Sequence, residues 1–249
     1  MHKLTIGIVG LGRFGQLLHT ILSSDFTVYG YDASLDFTHL PAYRSLPETL
    51  ACDVIFLCIP IRSLELFLKQ SGNLIQAHTV FDVCSVKVLP EQWMLTHLPE
   101  STHIISTHPL FGPDSYNTHH KKTIMMHNTR CNLKIFDEWV AYFSSLSWHI
   151  ELITPQAHDR QSAMTQGLTH LIGRMLHHIP LRDSNISTYG YKQLQSVMEQ
   201  SCHDSLELFY DMMKFNPYTN HMLTNVTAAL DSVKNEVKAH MSKESSHGQ

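Results

Sequence analysis

The 249-residue sequence has no apolar run long enough to cross a bilayer. Its longest, residues 54–61, falls far short of the about 20 residues that a membrane-spanning helix needs. It has no Cys-x-x-Cys pair. Its five cysteines, Cys52, Cys58, Cys84, Cys131 and Cys202, are odd in number and irregularly spaced, which excludes a disulfide framework and points to a reducing compartment. Positive charge is not in excess: 18 Lys and Arg against 22 Asp and Glu leave a net charge of −4, which argues against a general nucleic-acid partner and against a membrane partner. The absence of a Gly-x-Ser-x-Gly elbow and of a phosphate-binding lysine loop removes the hydrolase and nucleotide-hydrolase readings. The apolar stretch at residues 4–9 is broken by Gly10 and Gly12 before it could serve as a signal peptide, so a cytoplasmic protein is expected. Histidine is abundant, at 19 residues, but His119-His120, His177-His178 and the His103/His108 pair lack carboxylate or thiolate support at ligand spacing, and no metal is expected.

What is present is an ordinary globular composition, 43% apolar and 16% charged. Short β-type runs near 4–9, 27–31, 54–59, 79–83, 103–106, 123–126 and 148–153 alternate with helical patterns near 61–71, 89–98 and 133–146. Such alternation predicts an α/β class with a largely parallel sheet, a Rossmann-type dinucleotide-binding domain over residues 1–153. After Pro155 only helical stripes remain. One is Met164, Leu168, Leu171, Ile172, Met175 and Ile179. A second runs from Leu194 to Phe209, and a third runs from Met222 to Val237. An all-helical domain over 154–249 is thin alone, so it is expected to cover the first domain and to form a homodimer. The polar residues 242–249 are expected to fray.

Gly10-Leu11-Gly12-Arg13-Phe14-Gly15 fits Gly-x-Gly-x-x-Gly, follows a strand and opens an amphipathic helix (Phe14, Leu17, Leu18, Ile21, Leu22), which is the context the motif needs. Gly10 allows the tight turn, Gly12 lets backbone approach a pyrophosphate, and Gly15 lets the helix pack on the strand. Asp32, 22 residues beyond Gly10, ends the second strand, where a carboxylate binds ribose hydroxyls and repels a 2′-phosphate; NAD is expected over NADP. Ile59 and Pro60, at the end of the third clear strand, are expected to pass along the cofactor.

Two further segments are more distinctive: Asp82-Val83-Cys84-Ser85-Val86-Lys87 and Ser106-Thr107-His108-Pro109-Leu110-Phe111-Gly112-Pro113. With the glycine loop, His158-Asp159-Arg160, Thr169-His170-Leu171-Ile172-Gly173-Arg174 and Gly190-Tyr191-Lys192, they make the sequence resemble the prephenate/arogenate dehydrogenase family of tyrosine biosynthesis. The resemblance runs to about residue 223. It implies an NAD-dependent oxidative decarboxylation of a small anionic cyclohexadienyl substrate: hydride leaves C4, the C4 hydroxyl loses its proton, and CO2 departs as the ring becomes aromatic. By family position His108 is the base and Ser85 orients it or the hydroxyl. Gln166, His170, Gly173 and Arg174 share one helix stripe and form an expected substrate wall, with Gly173 standing where the family usually has a second histidine. Lys192 takes the place of an arginine that binds the side-chain carboxylate in many relatives, and reads equally as a plain exposed lysine. His158-Asp159 is read as a helix start, with Asp159 at the favourable dipole end. A different Rossmann hydroxyacid dehydrogenase, with Lys192 as its only basic candidate, and a non-catalytic NAD sensor remain as alternatives.

Overall fold

The computed structural model describes residues 4–37, 39–179, 181–182 and 184–245, with the side chains of 243–245 left aside. Seven strands form one sheet: β1 (Thr5–Val9), β2 (Thr27–Tyr31), β3 (Val54–Leu57), β4 (Thr79–Asp82), β5 (His103–Pro109), β6 (Thr123–Arg130) and β7 (His149–Leu152), in the order β2-β1-β3-β4-β5-β6-β7. The first five are parallel, β6 runs antiparallel to β5, and β7 is parallel to β6. The helices are α1 (Arg13–Leu22), α2 (Leu46–Leu50), α3 (Ile61–Ser71), α4 (Val88–His97), α5 (Pro113–Tyr116) and α6 (Leu133–Ser145). Beyond the sheet follow α7 (Pro155–Ser162), a π-helical turn (Ala163–Gly167), α8 (Leu168–His177), α9 (Tyr189–His203), α10 (Leu206–Phe215) and α11 (Thr219–Ser245).

The central strands β1, β3 and β4 are almost wholly buried because both of their faces are covered. Ile6, Ile8, Phe56, Phe81 and Ile105 pack with α1 and α6 through Leu18, Trp139 and Phe143. The alternate residues Ile55, Leu57, Val80 and Ile104 pack with α3 and α4 through Leu64, Leu68 and Met94. Strand order reverses between β1 and β3, which opens a crevice beyond their carboxyl ends, the usual ligand position in such sheets. The register aligns Leu57 with Asp82 and Asp82 with Ser106. Residues 107–109 of β5 therefore overhang β4 and pair only with β6. Pro109, which has no N–H to give, sits in this overhang without breaking a ladder bond to β4.

The structure differs from the sequence reading in the extent and position of several elements. Strand β5 runs three residues past Ser106, so His108 lies in a strand and not in the loop after it. The stripe from Leu194 to Phe209 is two helices, because Ser205 caps a new one by accepting from the Leu208 N–H at 3.1 Å. Helix α11 continues through Ser245, into the expected frayed end; residues 246–249 lie outside the described residues. Asp159 is in the second turn of α7, whose N-cap is Thr154. Among the described residues no helix is long and apolar enough to cross a membrane.

The helical part rests on α3 and α4. The Arg62 guanidinium lies 3.0 Å from the buried Asp211 carboxylate, and Trp93 packs edge-on against Phe215. The Asn216 amide donates to the Asp159 carbonyl at 2.8 Å.

Candidate active site

The glycine loop has the geometry its residues require. Gly10 sits at φ 98°, and a Cβ there would stand 2.5 Å from the Cys58 carbonyl oxygen. A Cβ on Gly15 would stand 1.9 Å from the Gly10 carbonyl oxygen, so only glycine allows α1 so close to the turn. Around Gly12, by contrast, a Cβ would meet nothing within 4 Å. Gly12 is also the N-cap of α1 and no side chain caps that helix, so the first-turn N–H groups face an open cradle of the kind that holds phosphates. The Arg13 side chain pairs with Asp114 at 2.5 Å, and the Phe14 ring packs against Phe111. Asp32 accepts from the Leu11 N–H at 2.7 Å and from the Ser34 and Leu35 N–H groups at 2.8 Å each. Of about four lone-pair positions on a carboxylate, one is left for a hydroxyl. Ile59 abuts Gly10, and the exposed Pro60 is the N-cap of α3.

Across the crevice, the overhang of β5 holds His108, 3% exposed. The buried Lys87 ammonium donates to the Asp82 carboxylate and to the Thr107 carbonyl, and the Thr107 hydroxyl donates to the Asp82 carbonyl at 2.5 Å. These bonds tie the free end of β5 to the end of β4. His108 Nδ1 lies 2.8 Å from His158 Nε2, and His158 Nδ1 lies 2.8 Å from the Asp159 carboxylate. That carboxylate also accepts from the Lys87 and Val88 N–H groups at 2.7 and 2.9 Å, so it caps α4 rather than its own helix. Burial, then the neighbouring His158 and Lys87, hold the His108 imidazole well below its ordinary value of 6.5. His108 is therefore neutral near pH 7. With Nδ1 engaged, its Nε2 makes no hydrogen bond within the described residues.

Ser85 and Gln166 line one small cavity with Ala163, Met212 and Asn216, with room for about one water, and neither side chain has a hydrogen-bond partner among the described residues. His170 and Arg174 converge on Asp204, at the turn between α9 and α10. His170 Nε2 lies 3.6 Å from the Asp204 carboxylate, and the Arg174 guanidinium donates to the Asp204 carbonyl. His170 Nδ1 and Arg174 Nε are buried without a hydrogen-bond partner among the described residues. Burial lowers the His170 value and Asp204 opposes this. Asp204 and His203 also lie within electrostatic reach of the Arg13–Asp114 pair, which brings this turn over the glycine loop.

The order of motifs and the crevice they line match known proteins. Residues 26–129 match the family model described as prephenate dehydrogenase, nucleotide-binding domain, and residues 175–249 match that described as TYRAAT1-like, C-terminal domain. Over 98% of its length the chain is 31% identical to arogenate dehydrogenase 1, chloroplastic, of Arabidopsis thaliana. Over 94% it is 29% identical to arogenate dehydrogenase 2, chloroplastic, of the same plant. The chain is thus similar to prephenate dehydrogenases in its nucleotide-binding part and to arogenate dehydrogenases over nearly its whole length. It spans 41% of the first of these relatives and 70% of the second. The fold is shared with a prephenate dehydrogenase from A. aeolicus, crystallised with hydroxyphenyl propionate and NAD+ (TM-score 0.74, 16% identity, 98% of this chain and 94% of that one). It is shared also with Synechocystis arogenate dehydrogenase (TM-score 0.69, 20% identity, 96% and 93%).

Two positions that the family motifs singled out lie away from the crevice. A Cβ on Gly173 would stand 2.5 Å from the Ser201 hydroxyl, so Gly173 is a close contact between α8 and α9 and leaves no space for a histidine. Lys192 is exposed in the first turn of α9, about 18 Å along the helix from Asp204. Conversely, His158 entered the sequence reading without a role at the site, and Asp204 was not singled out there at all. Adjacent His-Asp residues carry no periodic signal. Asp204-Ser205 did carry a helix-start signal in the middle of an apolar stripe.

Proposed function

We propose that the chain is an NAD-dependent dehydrogenase that decarboxylates arogenate, or prephenate as a second substrate, and so makes tyrosine or 4-hydroxyphenylpyruvate. The observation that carries this reading is the buried His108 on the β5 overhang, with Nδ1 occupied and Nε2 without a hydrogen bond among the described residues. A proton acceptor beside a dinucleotide cradle is what oxidation of a C4 hydroxyl needs, and such a base contributes about 10²–10⁴-fold.

The cradle fits NAD. The first-turn N–H groups of Arg13, Phe14 and Gly15 would hold the pyrophosphate, the remaining lone pair of Asp32 would take an adenosine ribose hydroxyl, and Ile59 and Pro60 would flank the dinucleotide. Asp32 disfavours the 2′-phosphate of NADP. When bound, the nicotinamide supplies the acceptor for the C4 hydride. His108 Nε2 takes the hydroxyl proton, and the Ser85 hydroxyl orients the reacting oxygen. The Gln166 amide and the Arg174 Nε–H, unpartnered among the described residues, hold the ring carboxylate, with His170 beside them. Asp204 suits the ammonium of arogenate and repels the side-chain carboxylate of a badly placed substrate; the keto group of prephenate gains nothing from it. Following NADH formation with arogenate and then with prephenate tests the reading. Turnover of arogenate with the higher kcat/KM supports it. NAD binding without turnover of either substrate overturns it in favour of a sensor.

Five unpaired cysteines suit a reducing compartment such as the cytoplasm. The exposed stripe Leu230, Val233, Val237 and Met241 of α11 suits a homodimer, which light scattering would detect.

A further inference from the structure

The geometry points to a two-histidine relay: His158 fixes the tautomer of His108 and, held by Asp159, receives the proton that His108 passes on. This rests on the reading of His108 as the base.

The argument begins at the far end of the chain of bonds. The Asp159 carboxylate can only accept, so the hydrogen between it and His158 Nδ1 belongs to His158. In the neutral ring, His158 Nε2 is then an acceptor. The hydrogen in the 2.8 Å contact between the rings must come from His108 Nδ1. His108 Nε2 is left with its lone pair, the form a base requires. Without His158 nothing in this contact would select that tautomer.

The same chain decides where the positive charge rests. Lys87 is buried beside His108, and burial itself disfavours an imidazolium there. The proton balance avoids this outcome. The substrate hydroxyl gives its proton to His108 Nε2, and the Nδ1 proton of His108 moves to His158 Nε2. The products are a neutral His108 and an imidazolium on His158 against the Asp159 carboxylate. The groups facing the two rings are Asp82 and Lys87 from the β4–α4 segment, Asp159 on α7, and the Asn216 and Ser162 side chains behind Asp159. The rings stand at 75° with centroids 5.0 Å apart, so the contact is an in-line bond between ring edges and not a stack. His158 touches no reacting atom in this scheme and is a positioning residue.

Two variants separate orientation from relay. His158→Gln keeps an acceptor for His108 Nδ1 but cuts the path to Asp159. His158→Phe keeps the bulk and removes both. The expected order of kcat is wild type, Gln about tenfold lower, Phe about 10²–10³-fold lower, with KM for arogenate and NAD within threefold of wild type. A second readout needs no turnover. Long-range ¹H–¹⁵N spectra of the ligand-free full chain are expected to show His108 as the Nδ1–H tautomer, retained in His158→Gln and mixed in His158→Phe. Finding the Nε2–H tautomer in wild type, or a Phe variant with unchanged tautomer and kcat, overturns the relay. Losses that follow KM and melting temperature alone, equal in both variants, also overturn it. If wild type turns over neither substrate, the function reading fails while the tautomer result still judges the relay.

Discussion

The two walls of the crevice are built in different ways. On the sheet side each site residue is held by backbone. Gly10 and Gly15 stand where any Cβ would collide, Asp32 is fixed by three main-chain N–H groups, and His108 is carried on a strand whose free end is tied down by Lys87 and Thr107. On the helical side the polar groups are held mainly by one another: Arg174 and His170 meet at Asp204, and Gln166 has no partner among the described residues. The first wall is geometrically fixed and can tolerate little change. The second is a set of exchangeable charges, which is where a choice between related anions can be made without disturbing the chemistry.

That contrast can be broken or sharpened by mutation. The largest effect is expected for His108→Asn, with kcat down about 10²–10⁴-fold and NAD affinity kept; turnover within tenfold of wild type would remove His108 from the base role. Gly15→Ala forces α1 away from Gly10 and should weaken NAD binding at least tenfold and lower the melting temperature, as overpacking by about 1–3 kcal/mol does. Normal NAD titration in this variant would show that the sheet wall is more yielding than its contacts imply. Asp204→Asn should cut kcat/KM for arogenate about 10–100-fold, the scale of a hydrogen bond to a charged group, and leave prephenate unchanged or improved. Equal losses for both substrates would mean that Asp204 merely holds His170 and Arg174 in place. Lys192→Ala should leave KM within twofold for both substrates; a tenfold rise would extend the wall to a position far along α9. The smallest effect is on stability. His108 and His170 are held below 6.5 by burial, so the unfolded chain binds protons first as pH falls. Stability from both is complete above pH 6.5 and declines below it, and the decline in melting temperature should be shallower in His108→Asn.

Sequence legibility follows the same divide. The strand–glycine–helix unit was readable because backbone sterics demand particular residues there, whereas the His-Pro block was readable through its resemblance to a family motif. The short helices α2 and α5 were not, since four or five residues carry no periodicity. The length of β5 was hidden by Pro109, which is tolerated only because β4 has already ended. The helical wall was legible as a stripe but not as contacts. Gly173 sits on the expected face and yet meets Ser201, and His170 and Arg174 reach a residue 30 or more positions away, which spacing alone cannot show. The pairing of His158 with His108 spans 50 residues and two elements.

The π-helical turn at Ala163–Gly167 has one more consequence. Relative to a regular helix it contains one surplus residue. If that turn tightened into regular α-helix with no residue lost, everything beyond it would rotate by about one residue's 100°. His170 and Arg174 would keep their neighbours in sequence but lose their azimuth, and Gly173 would no longer meet α9. The angular phase of the whole helical wall is thus set by one wide turn, so deleting its surplus residue, which restores a regular helix with nearly the same phase, should disturb the wall less than a one-residue deletion within α8.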